Sequence, residues 1–87
     1  MKTVKIYTWT TCPFCIKAKA LLDRKKVSYQ EIVIDGDREA FANLKQQTGS
    51  GTVPQIFIDN RFIGGCDNLH ELDANGQLDV LLTDEQL

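Results

Sequence analysis

Two β-like runs, residues 4–9 and 28–34, are separated by one helical run from about Pro13 to Lys26. In the first, Val4, Ile6 and Thr8 alternate with Lys5, Tyr7 and Trp9, the period of a strand. The second, "SYQEIVI", is rich in strand-forming residues and ends at the turn "DGD". Pro13 suits a first helical position, where its missing N–H would be unpaired in any case. Phe14, Ala18, Leu21 and Leu22 fall on one face of that helix, and Arg24, Lys25 and Lys26 complement its negative end. A strand, a helical crossover and a second strand leave little topological choice. The two strands should be parallel, with a right-handed connection.

A second helix is expected from about Asp37 to Thr48, with Phe41 and Leu44 inward and Gly49 as its stop. "PQIFID" (54–59) and "RFIG" (61–64) flank a tight Asp59-Asn60 turn, the mark of an antiparallel hairpin. A last helix opens near Asp67 or Asn68, uses Leu69 and Leu72 and stops at Gly76; Leu78, Leu81 and Leu82 suggest one more short turn on the core. The order β-α-β-α-β-β-α specifies an α/β chain with a four-stranded mixed sheet and helices on both faces, the thioredoxin-like architecture. Eighty-seven residues suffice for one domain (1–87), which buries only about 60–65% of the surface its unfolded chain exposes.

Composition excludes several functions. A net charge of −2 offers no basic excess for a nucleic-acid backbone. No apolar stretch approaches the roughly 18 residues of a membrane span. The opening "MKTVKIYTWT" has no apolar h-region, so no signal peptide is read and the cytosol is the expected compartment. Thiols are kept reduced there, and a C-x-x-C pair points to redox chemistry or to metal. An odd number of cysteines, three, argues against a purely structural disulfide framework.

Cys12 and Cys15 stand at the strand-to-helix junction in "TCPFC". At a helix start, sulfurs three residues apart can approach closely enough to bond. Cys12, at the helix mouth, is expected to be exposed and nucleophilic, and Cys15, following Phe14 into the packed side, to be a buried resolving thiol. The helix dipole favours a Cys12 anion by about 0.3–1 kcal/mol, up to ~2. A stronger preference needs hydrogen bonds from the N–H groups of Phe14 and Cys15, with Lys17 a possible helper. Zinc is the rival occupant. It needs four donors, for which Cys12, Cys15, Cys66 and His70 are the set the chain offers. A helix N-terminus favours anions over such a cation, and His70 otherwise reads as a solvated helix residue.

Together, "TCPFC", "TVPQIFID" and "IGGCDNL" resemble the glutaredoxin family, in order and at matching spacing over nearly all of the chain, and most of all its small dithiol members from bacteria and cyanobacteria. The resemblance implies a glutathione-dependent thiol–disulfide oxidoreductase with Cys12 and Cys15 catalytic. Its glutathione site would comprise Phe14, Thr52, Val53, Pro54, Gly65, Cys66 and Asp67. Pro54 would be cis and face Cys12, with the Val53 N–H and C=O pairing with the backbone of the tripeptide. The N–H groups of Cys66 and Asp67 would bind the γ-glutamyl carboxylate, the Asp67 side chain would take the ammonium, and Gly65 would let the ligand come close. The Cys66 thiol would be dispensable.

The same resemblance implies glutathionylated or disulfide-bonded proteins as substrates, and electrons from NADPH through glutathione reductase. Glutathione is a co-substrate, no tightly bound cofactor is expected, and the protein should act as a monomer. Family potentials run about −200 to −230 mV, near the glutathione poise. Two positions depart from the pattern: Trp9 replaces a lysine that pairs with the glycyl carboxylate, and Phe14 replaces a tyrosine. Gln47 or Lys45 is the candidate substitute cation or donor. A rival within the family is an iron–sulfur carrier, which Pro13 disfavours, since such members usually have Gly or Ser after the first cysteine.

Overall fold

The computed structural model describes residues 3–82. Eight elements follow in order: β1 (Val4–Thr8), α1 (Pro13–Arg24), β2 (Gln30–Val33), α2 (Arg38–Thr48), β3 (Gln55–Ile58), β4 (Arg61–Gly64), α3 (Cys66–Ala74) and α4 (Gln77–Leu82). The sheet runs β2-β1-β3-β4. β1 and β2 are parallel, as the crossover requires, while β3 is antiparallel to both β1 and β4. Asp59 and Asn60 take φ of 54° and 68°, the paired left-handed conformation of a two-residue hairpin turn. The hairpin register slips by one residue between Ile56 and Phe57, so that Ile56 faces Gly64.

Strand alternation sorts the side chains. Val4, Ile6, Ile56 and Ile58 join Ala18, Leu21 and Leu22 of α1, Leu69 of α3 and Leu78 and Leu82 of α4 in one core. Their sheet-mates on the other face, Tyr7 and Phe57, meet edge to face with ring centroids 5.7 Å apart. α2 lies on this second side: Phe41 packs 5.8 Å from the Trp9 ring, and Thr48 bonds Gln55. Lys25 staples the first layer with ion pairs to Asp73 (2.6 Å) and Asp79 (3.0 Å), at the ends of α3 and α4.

Several boundaries differ from the sequence expectation. α1 stops at Arg24 because Lys25 is already the cap and Lys26 has a φ of 58°. Its buried face is Cys15, Ala18, Leu21 and Leu22; Phe14 is exposed instead. A one-residue shift of the stripe puts the second cysteine, not the aromatic, into the core. α3 begins at Cys66, before Asp67, with Gly65 as its N-cap, and the segment after Gly76 is a helix of its own.

Candidate active site

β1 ends at Thr8, and the chain turns through Trp9–Thr11 before Cys12 caps α1 in an extended conformation, φ −151°. With Pro13 at the first helical position, the Cys12 carbonyl accepts the first helical bond from Ile16 N–H, at 3.1 Å. Its sulfur takes the place that a serine or aspartate oxygen would fill in an ordinary cap: it accepts the Cys15 N–H at 3.3 Å. Of the two expected donors, Cys15 is the one that reaches the sulfur. The Val53 carbonyl, 41 residues away in sequence, lies 4.0 Å from the same atom. Cys12 is therefore buried, at 7% exposure, contrary to expectation. The tertiary approach of Val53 closes over a position that the helix alone would leave open.

Cys15 sits one turn deeper at 1% exposure, and all three cysteines are free thiols. Burial first, then its hydrogen bond with Cys12, pushes the Cys15 thiol up to about 12, against smaller opposing effects from the Trp9 backbone and Lys19. Cys66, also buried, is pushed up by burial and then by the Asp67 carboxylate. The pair is thus asymmetric. The capping sulfur faces an N–H donor and a helix N-terminus, while the inner thiol keeps its proton.

Val53, whose carbonyl faces the Cys12 sulfur, lines a cavity of about 480 Å³, within the size range of small-molecule sites. Phe14, Thr52, Val53, Pro54, Gly65, Cys66 and Asp67 all line it. The Val53–Pro54 peptide is cis. One wall is the loop before β3 and the other is the β4–α3 junction. The two come close at Gly65, where a Cβ would lie 3.3 Å from the Pro54 carbonyl oxygen. Asp67 is not the cap of α3. That bond runs from Gly65 N–H to the Asn68 Oδ1 at 3.0 Å, leaving Asp67 exposed on the cavity rim. Phe14 is 55% exposed, with the Lys17 ammonium 5.7 Å from its ring centroid.

The positions named for the missing cation divide. Lys45 lays its side chain along Gly51, close enough that a Cβ there would lie 3.5 Å from its Cε. Gln47 belongs instead to a shallow depression with Asn43 and Gln46. Trp9 packs on Phe41. His70, expected in solvent, is half-buried, with Nε2 enclosed and without a partner among the described residues. Among the described residues no group of three or more His, Cys, Asp or Glu is placed to hold a metal ion. Sequence reasoning missed Ser50, Phe62, Ile63, Gly64 and Asn68 on the cavity wall. Of these, Asn68 had a signal, a side-chain acceptor three residues after a glycine at a helix start.

Comparison with known proteins gives a consistent neighbourhood. The family model for glutaredoxin matches residues 4–63. Glutaredoxin 3 of Escherichia coli is 55% identical over 82 residues, which is 94% of this chain and 99% of that protein. A probable glutaredoxin of Synechocystis sp. is 55% identical over 80 residues, 91% of each chain. Among solved structures, the buckwheat glutaredoxin–glutathione complex superposes with a TM-score of 0.89 at 35% identity, covering 95% of this chain and 78% of that one. The solution structure of glutaredoxin from Brucella melitensis superposes with a TM-score of 0.87 at 44% identity, covering 100% and 95%.

Proposed function

This chain belongs to the glutaredoxin family and is a thiol–disulfide oxidoreductase, and on that premise we propose that it works with glutathione through two routes that share Cys12. The observation that carries this reading is the placement of the capping sulfur, 3.3 Å from the Cys15 N–H and 4.0 Å from the carbonyl of Val53, a residue that itself lines the 480 Å³ cavity. The solved complex of the buckwheat relative with glutathione supports the choice of ligand.

In the monothiol route the Cys12 thiolate attacks the glutathione sulfur of a glutathionylated substrate. The substrate leaves as its thiolate, and Cys12 is left in a mixed disulfide with glutathione. The tripeptide lies against Thr52 and Val53 by backbone pairing, and its γ-glutamyl carboxylate meets the first N–H groups of α3 at Cys66 and Asp67. The Asp67 carboxylate takes the ammonium. Protonated and buried, Cys66 contributes through its backbone. A second glutathione thiolate then attacks the glutathione sulfur of that mixed disulfide, releasing glutathione disulfide and restoring Cys12. NADPH, through glutathione reductase, returns the electrons.

The dithiol route serves protein disulfides. Once Cys12 is bonded to a substrate sulfur, two of the influences that hold the proton on Cys15 — the Cys12 hydrogen bond and its charge — are gone. Cys15 then ionises more readily and attacks Cys12, expelling the substrate thiolate and leaving Cys12–Cys15 oxidised. Such chemistry requires a glutathione-rich reducing compartment, and we assign the protein to the cytosol, acting as a monomer. The test is glutathione-coupled reduction of a small glutathionyl mixed disulfide by wild type, Cys12→Ser and Cys15→Ser. Activity is expected to vanish in the first variant and to survive substantially in the second, which should lose reduction of protein disulfides. Equal loss in both variants would rule out the monothiol route.

A further inference from the structure

Gln55 is one of the buried polar residues of the molecule, at 1% exposure, and its carboxamide is fully engaged. Its Oε1 accepts the Thr48 hydroxyl at 2.9 Å. Nε2 donates to the Ser50 carbonyl at 2.7 Å and to the Thr52 carbonyl at 2.9 Å. The Thr48 hydroxyl in turn accepts the Ser50 N–H at 3.1 Å. One side chain therefore ties the end of α2, the loop over residues 50–52 and the start of β3 into a single bracket. Its own backbone is fixed in the sheet opposite Tyr7.

The bracket ends at the wall of the cavity. Ser50, Thr52, Val53 and Pro54 line it, and the Thr52 carbonyl held by Nε2 belongs to the same peptide group as the Val53 N–H. A peptide group is planar, so fixing its oxygen fixes the direction of its N–H. Apolar contact could hold the loop's position but not the rotation of that peptide. No other side chain of similar length could serve as well: a glutamate would oppose two carbonyl oxygens with a carboxylate, and a methionine would leave both carbonyls unpaired.

We infer that Gln55 is a positioning residue for substrate recognition, aiming the Val53 N–H at the tripeptide backbone by holding the Ser50 and Thr52 carbonyls from behind. This rests on the glutathione reading above. Its bonds go to the Ser50 and Thr52 carbonyls, while the Cys12 sulfur takes its N–H donor from α1.

The variant Gln55→Met keeps length and volume and removes all three bonds. With a glutathionylated peptide as substrate, its KM should rise about tenfold while kcat stays within about twofold of wild type. Amide exchange at Ser50, whose N–H bonds the Thr48 hydroxyl, should quicken. A folded Gln55→Met protein with wild-type KM, or one whose kcat falls while KM holds, overturns the inference. If Gln55→Met does not fold, Thr48→Val takes its place, since it removes only one hydroxyl from the bracket; a smaller KM rise is expected, and an unchanged KM overturns the inference. Turnover by wild type separates the two readings. If wild type does not turn over the peptide, the glutathione reading falls; if it does and the variant matches it, only the role of Gln55 falls.

Discussion

At the scale of single residues, the two sulfurs of "CPFC" differ because of neighbours that the motif does not contain. Cys15 ionises well above the ordinary thiol value of 9.0, chiefly because it is buried. In a Cys12→Ser protein at pH 8, it should resist iodoacetamide while folded and react promptly in urea; rapid labelling of the folded form would contradict its assigned state. The same shift has a consequence for stability. The folded chain holds a proton on Cys15 that the unfolded chain gives up, so the stabilisation is complete below about pH 9 and is lost as pH rises toward about 12. Urea denaturation of the reduced protein should therefore show stability falling with alkaline pH more steeply in wild type than in Cys15→Ser. Cysteine spacing made both residues visible as a pair. It could not show that Cys12 would be buried, because the Val53 carbonyl arrives from a distant part of the chain.

Among the elements, the β4–α3 junction has the least freedom. Gly64 has a φ of 128°, and a Cβ on it would lie 2.5 Å from the Asn68 carboxamide that caps α3. Gly64→Ala should cost about 1–3 kcal/mol in urea denaturation, from backbone strain and displacement of the cap together. It should also weaken binding of glutathionylated substrate, since Asn68 and Gly64 both line the cavity. The N-terminus of α2 offers a simpler case. Asp37 accepts the Ala40 N–H at 3.0 Å, and Asp37→Ala should cost about 1 kcal/mol by the same measurement, with catalysis unchanged. Both helix starts carried readable signals: Asp37 before α2, and at α3 an asparagine three residues after Gly65. Gly65 is the N-cap of α3, and Asn68, the third helical residue, accepts its N–H.

For the molecule as a whole, stability rests on the core shared by α1, α3, α4 and one face of the sheet. Leu69 is wholly buried at its centre, and Leu69→Ala should cost about 2–5 kcal/mol, read as a lower urea midpoint with an unchanged slope. That core holds α1 and α3 against each other, and the sites at their N-termini, the Cys12 cap and the Cys66–Asp67 amides, take their relation from it.

Sequence alone determined the order of elements, the parallel pair and the hairpin. Each follows from local periodicity, turn chemistry or motif, which neighbours in the chain settle among themselves. Tertiary structure decided the burial of Cys12, the displacement of Phe14 to the surface and the bracket at Gln55. Those depend on groups brought together across the sheet and between helices, and no local pattern encodes which carbonyl a buried amide will meet.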